Sequence, residues 1–541
     1  MRVPLLLLTL LLQAPQPQLT PPARKSSVEG VVLSAGTGEP IEDAVVTLAK
    51  AAAENEAVEV SAATDSQGRF AFKDLDVATY RLVFESSGYV SQEYGQRVSR
   101  GKGTPIHLAE GQSLKSVVIR LIPTGSVSGR ILDDNKQPVA GVPVRLMRFS
   151  YNEQGQKMLR PSGSARTDDR GEYRLYFVTP GRYYLNAGVA SSPRSCWEFN
   201  AGPNEVQEIY ANAYYPGVAE LKFASVVEVQ AAAEMRGVDL TLVRAQRYKV
   251  RGRIIDSTTG QPPIYAELSL SGDYSSSCGL GYKSTLQNGI FEFRDVAPGS
   301  HLLAATIGPG ERQAGPVPVV VVNGDIDGIV LTLSPGVTVS GRVRIEGLDS
   351  LAELTKEDYG PGVGLSGARS GGHARLKADG TFQIDNVLPG EYDVYAWPKP
   401  SSTAYIREAR FGLVDVLSEP LHIAGPESRM LDILLSSKHG AVDGTATDPF
   451  GPVPGAQLVL VPEKSRRRRE LFKAVTADQN GRFSIADVVP GDYRLFAWEA
   501  IEPYSWFDPE VLAPYESRAR SIHVGELSKQ SIEVRTMAIT P

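Results

Sequence analysis

Few side chains in this 541-residue chain have the type and spacing that chemistry needs. His107-Leu-Ala-Glu110 and His523-Val-Gly-Glu526 both have the His-x-x-Glu spacing of a zinc site. A catalytic zinc needs three converging protein ligands and an open fourth position. The related segment His422-Ile-Ala-Gly425 lacks the acid, and no second histidine recurs beside these. No Gly-x-Ser-x-Gly elbow, phosphate loop or Cys–His pair offers another reaction. The reading is therefore non-enzymatic, with no metal and no cofactor.

Asp65, Asp168-Asp169, Asp379 and Asp478 could suggest calcium, but each offers one or two carboxylates where a calcium loop needs six or more oxygens. They read as turn residues. Arg466–Arg469 could attract an anionic polymer. With no aromatics between the charges, it reads as a solvated loop and a protease target. Aromatics form the remaining group. Phe496 and Trp498 lie out of phase with Tyr493, Leu495 and Ala497, as Tyr395 and Trp397 do with Tyr392, Val394 and Ala396. If one set fills a core, the other points outward by the two-residue strand period. Tyr395, Trp397, Phe496 and Trp498, with Trp506 nearby, are thus candidates for stacking on sugar or anchoring a partner protein. The competing expectation is that the following loops, 399–411 and 499–516, fold over these rings, since exposed aromatic patches are uncommon on monomers.

The elements that hold these residues repeat. Asn480-Gly-Arg-Phe-Ser-Ile-Ala-Asp-Val-Val-Pro-Gly-Asp-Tyr493 has counterparts starting near Gly68, Gly171, Gly289 and Gly380. In each, an aromatic follows the Gly by two residues, and a Tyr or His follows that aromatic by ten. Asx-Gly turn chemistry followed by alternating strands predicts a β-hairpin bent at Pro490-Gly491. The Tyr after the corner is placed for a hydroxyl tie to nearby backbone, whereas unit three has His301 there. Each unit opens on Val-x-Gly: Val28-Glu-Gly30, Val127-Ser-Gly129, Val250-Arg-Gly252, Val339-Ser-Gly341 and Val442-Asp-Gly444.

About seven short strands per hundred residues is the count of a two-sheet sandwich. The expected fold is all-β, a tandem array of about five small β-sandwiches spanning 28–122, 123–246, 247–335, 336–437 and 438–541. Linkers of a few residues with Pro and Gly predict an elongated, semi-rigid rod. The second unit carries a long insertion.

Residues 1–14 have one basic residue, an apolar run and a small residue at the end, the pattern of a signal peptide, followed by a Pro-rich tail over 15–27. No later stretch is apolar enough for a membrane helix. A net charge of −6 argues against nucleic acid as a partner. The chain has only two cysteines, Cys196 and Cys278, in different units. A disulfide between them and two separate thiols are both open to an exported chain, and folding cannot depend on a disulfide framework.

With Val-x-Gly, Pro-x-x-Gly-Ala, Asp-x-x-Gly-x-Phe and Pro-Gly-x-Tyr in order, the units resemble carboxypeptidase regulatory-like domains. These are transthyretin-like (prealbumin-like) sandwiches near the carbohydrate-binding-like fold. The resemblance covers nearly the whole chain after the leader and implies a non-catalytic, accessory role. The expected function is a structural or adhesive scaffold outside the cytoplasm, periplasmic, on the cell surface or extracellular. Its expected partner is an extracytoplasmic protein. The alternatives are polysaccharide binding through units four and five, and service as an accessory module of a peptidase.

Overall fold

The computed structural model describes residues 25–50, 59–98, 100–188, 210–244, 246–272, 282–284, 288–296, 298–307, 312–346, 361–367, 371–397, 404–425 and 428–538. Both cysteines lie outside these residues. Nearly all of the regular secondary structure in the described residues is strand, and the α-helix among it is the four-residue Pro509–Leu512. No described helix is long and apolar enough to cross a membrane.

Five β-sheet units, each with its own buried core, follow one another along the described residues. In each, the Val-x-Gly strand is an interior strand paired on both sides: Ser26–Ser34, Gly125–Asp133, Tyr248–Asp256, Val337–Ile345 and Gly440–Asp448. The strand with the Gly-x-aromatic motif pairs antiparallel on one side of it, and the unit's closing strand pairs parallel on the other. In unit five these neighbours are Arg482–Val488 and Lys529–Arg535. The Val-x-Gly spacing follows from this crowding. A Cβ on Gly444 would lie 2.0 Å from the Ile532 carbonyl oxygen and 2.7 Å from Phe483 Cζ. Gly30, Gly252 and Gly341 are held between the same two neighbours in their own units.

The motif is not a hairpin, and that expectation is corrected. Gly491–Trp498, the strand after the Pro-Gly corner, does not pair with Arg482–Val488. It pairs with Gln457–Pro462 and Arg520–Val524 in the opposite sheet. The corner carries the chain between layers because Phe483 and Ile485 must face Tyr493 and Leu495 across one core, which a flat hairpin would put side by side. The corner tyrosine locks the step. Tyr493 Oη donates to Val489 O at 2.7 Å, Tyr392 Oη to Leu388 O at 2.7 Å, and Tyr183 Oη to Thr179 O at 2.6 Å. Tyr80 repeats the bond in unit one at 3.1 Å. Unit three has the buried His301 there, and its strands run together as one seven-stranded sheet.

The units do not extend as a rod, and this second expectation is also corrected. Unit five returns to unit one. Arg97 Nη2 donates to Pro454 O at 3.1 Å and its Nη1 lies 3.6 Å from Glu499 Oε2, while Gly455 packs on Thr104. Unit five also meets unit two, where Tyr151 Oη donates to Asp508 Oδ2 at 3.1 Å and Gly155 packs on Phe507. Short linkers restrict reorientation without setting its direction, and here the contacts bring the last unit onto the first two.

Candidate functional site

The outward aromatics of unit five are covered. Phe496 and Trp498 have no exposed surface and stack with ring centroids 5.2 Å apart. Tyr515 stands edge-on to Trp498 at 5.6 Å, and Trp506 is only 8 % exposed. Val459, Val461, Ile501, Leu512 and Met537 complete a second apolar cluster behind the sheet. Val459 and Val461 on the paired strand Gln457–Pro462 make this sheet face apolar, so burying it under the following loop outweighs leaving it open to a ligand. As places where a sugar could stack, Phe496, Trp498 and Trp506 are therefore corrected. Unit four differs. Tyr395 is 42 % exposed and lies over Gly364, beside a hollow of about 450 Å³ lined by Leu365, Ser366, Gly371, Gly372 and His373. Trp397 ends the same strand opposite Gly362, and its side chain lies outside the described residues.

The histidines do not converge. His107, His422 and His523 each point outward between two buried neighbours on an edge strand of a different unit. His523 Nδ1 sits 2.7 Å from Asp492 Oδ1, and His107 Nδ1 sits 3.2 Å from Thr79 Oγ1. Glu526 turns instead to Arg407 of unit four, at 3.0 Å. Among the described residues, no three His, Cys, Asp or Glu side chains gather as a metal site. The turn aspartates are occupied by backbone. Asp478 Oδ1 accepts from the N–H groups of Asn480 and Arg482, both at 2.8 Å, and Asp65 and Asp168 do the same in their units. The Asp65 carboxyl is held below its usual range chiefly by the Arg69 N–H.

The arginine run is not a free solvated loop; that expectation is corrected because each guanidinium has a partner. Arg466 pairs with Glu516 at 2.7 Å, and Arg467 pairs with Asp393 of unit four at 2.8 Å. Arg468 donates to Ile406 O of unit four at 3.0 Å, and Arg469 lies over the Phe507 ring at 5.6 Å. A second cluster crosses the same joint. Glu346 meets Lys438 at 2.8 Å and Arg407 at 2.7 Å, and both cations also reach Glu526. Hydrogen bonds from Lys438, Ser436 and Arg407 pull the Glu346 carboxyl down to about 2.

One surface feature escaped the sequence reading. In the strand with the Gly-x-aromatic motif, two residues bulge out between the partners of the opening strand. In unit two they are Tyr176 and Phe177, between Leu175↔Val127 and Val178↔Gly125. Tyr176 is 60 % exposed and Phe177 67 %, with ring centroids 6.4 Å apart. The signal that could have found them is the repeat itself, since the same slot holds Lys73-Asp74, Arg294-Asp295, Asp385-Asn386 and Ala486-Asp487 in the other units.

Comparison with known proteins places residues 27–113 in the family model "Carboxypeptidase regulatory-like domain". Among curated proteins the chain is similar to Colossin-A of Dictyostelium discoideum, with 22 % identity over 502 residues. The alignment covers 80 % of this chain, which spans only 4 % of that relative's length. Among solved structures it is similar to a streptococcal ancillary pilin, with 11 % identity and a TM-score of 0.23, covering 58 % of this chain and 99 % of the pilin. GBS52, the minor pilin of Streptococcus agalactiae, matches at 14 % identity and a TM-score of 0.23, covering 41 % of this chain and 97 % of the other.

Proposed function

We propose that the chain is an exported, non-catalytic scaffold in which five sandwiches are joined into one body that presents loops to a partner outside the cytoplasm. One observation carries this reading. The charged groups that the sequence offers for chemistry, Arg466–Arg469 and Glu526 above all, are engaged in joining sandwiches to each other and to their own loops. Side chains tied up in this way supply rigidity, and rigid placement of loops is what a scaffold needs. The leader-like residues 1–14 support export. Fractionation of the producing cell, with mass analysis of the purified chain, tests this. The expected product lies outside the cytoplasm, lacks residues 1–14, and removes no C-terminal residue from peptides with or without added zinc. A full-length cytoplasmic chain, or zinc-dependent release of C-terminal residues, would overturn the reading.

A second reading is favoured by the exposure of Tyr395 beside the unit-four hollow. There a polysaccharide would stack on Tyr395, with Trp397 on the same strand. Loss of polysaccharide retention in Tyr395→Ala at unchanged circular dichroism is the expected result, and unaltered retention would remove that site from consideration.

A further inference from the structure

The bulge slot makes an internal comparison within a single chain. Its second residue takes a left-handed backbone, with φ 57° at Asp74, 55° at Phe177, 60° at Asn386 and 52° at Asp487. Asp and Asn tolerate this conformation because their short side chains bond the local backbone, while a bulky side chain there is an outlier. Phe177 therefore departs from both the local rule and the repeat. It is also two-thirds exposed, so burial does not compensate. A strained residue that returns nothing to the core marks a site under functional demand.

The bulge brings Tyr176 and Phe177, neighbours in sequence, to the same edge of the sheet, where their rings tilt toward each other. Beside them lies a polar rim. The Arg174 guanidinium lies over one face of the Tyr176 ring, 4.8 Å from its centroid, and pairs with Glu234 at 2.9 Å, while Arg236 pairs with the second carboxylate oxygen of Glu234. Two rings offer at most a few hundred Å² of apolar surface, on the order of 150–250 Å² each. A stable protein contact needs about 1,000 Å² or more, with an apolar centre rather than a charged one. Sugar fits this geometry better. The C–H face of a pyranose lies on the electron-rich face of an aromatic ring, while planar guanidinium and carboxylate groups take paired hydroxyls at its edge.

We propose that Tyr176 and Phe177, flanked by Arg174 and Glu234, form a carbohydrate-binding platform on the second sandwich that takes a neutral polysaccharide chain. The proposal rests on the scaffold reading and names what the scaffold holds. It is independent of Tyr395.

The test is retention of the full mature chain on microcrystalline cellulose, chitin, insoluble xylan and granular starch, beside Tyr176→Ala and Phe177→Asn. Phe177→Asn restores the residue type that the repeat uses at this backbone angle, so its melting temperature should equal or exceed that of the parent. The platform predicts retention on at least one polymer, weakened about tenfold or more in either variant, as loss of one stacked ring implies. Retention on none of the four, or equal retention of parent and both variants, would overturn it. Scattering on the same samples reports separately on the joined body, so failure of the platform leaves the scaffold reading distinguishable.

Discussion

The side-chain amide of Gln479 bonds the main chain of His107 in both directions. Its Oε1 accepts from the His107 N–H at 2.9 Å, and its Nε2 donates to the His107 carbonyl at 2.6 Å. Gln479 belongs to the turn before the aromatic strand of unit five, and His107 to the edge strand Ile106–Leu108 of unit one. A single glutamine thus caps an open sheet edge in another sandwich, where unpaired backbone groups would otherwise invite association. Each exposed hydrogen bond contributes only about 0.5–1.5 kcal/mol, so closure depends on several acting together. Gln479→Ala combined with Arg97→Ala should therefore enlarge the radius of gyration in small-angle scattering while leaving circular dichroism unchanged. An identical scattering curve would show that the unit one–five contact does not hold the body closed.

The corner tyrosine should be worth one hydrogen bond and little else. Tyr493→Phe keeps the buried ring and removes the donor to Val489 O, so the expected loss is about 1 kcal/mol. Trp498→Ala, by contrast, removes a fully buried indole from the second cluster and should cost about 3–5 kcal/mol. Denaturant titration of both variants checks the ranking. Equal losses would mean that the loop over Trp498 collapses without penalty.

Gly444 tests the origin of the Val-x-Gly motif. Gly444→Ala drives a methyl against the Ile532 carbonyl and the Phe483 ring, and overpacking of this kind costs about 1–3 kcal/mol. Combining Phe483→Leu with Gly444→Ala should cost less than the sum of the two single losses, because the ring that meets the methyl is gone. If the double variant is simply the sum of the two single ones, the ring is not what excludes the methyl.

Acid should loosen the unit four–five joint before it unfolds the sandwiches. Glu346 is pulled from its ordinary 4.5 to about 2 by Lys438, Ser436 and Arg407. A lowered carboxyl stabilises the folded form above its unfolded value and loses that contribution as pH falls through the folded one. The contribution is thus complete above about pH 4.5 and declines toward pH 2. Limited proteolysis between 436 and 440 should quicken over that window in the parent. In Glu346→Gln it should be quicker already at neutral pH, with a flatter pH response. A parent whose cleavage rate is flat from pH 5 to pH 2 would show that the cluster does not hold the joint.

The repeat, the all-β class, the opening Val-x-Gly strands and the corner tyrosines are legible in the chain because each follows from local rules. Glycine is required where a ring and a carbonyl crowd a strand, Asx-Gly makes a turn, and alternation builds a two-faced strand. The same rules are silent on which strand lies beside which. Alternation in Phe483 and Ile485, then in Tyr493 and Leu495, is equally true of a hairpin and of a step between layers, and only the shared core selects the step. Period also says that Trp498 faces away from that core without saying what lies there. The covering by Ile501, Leu512 and Tyr515 is a tertiary event. Arg466–Arg469 reads as a charged loop because its acceptors, Asp393, Ile406 and Glu516, lie tens of residues away. The return of unit five to unit one is the longest-range case, joining residues more than 350 positions apart. Local chemistry therefore determined the sandwiches, and contacts between residues distant in the chain decided how they are joined and which aromatics remain open to solvent.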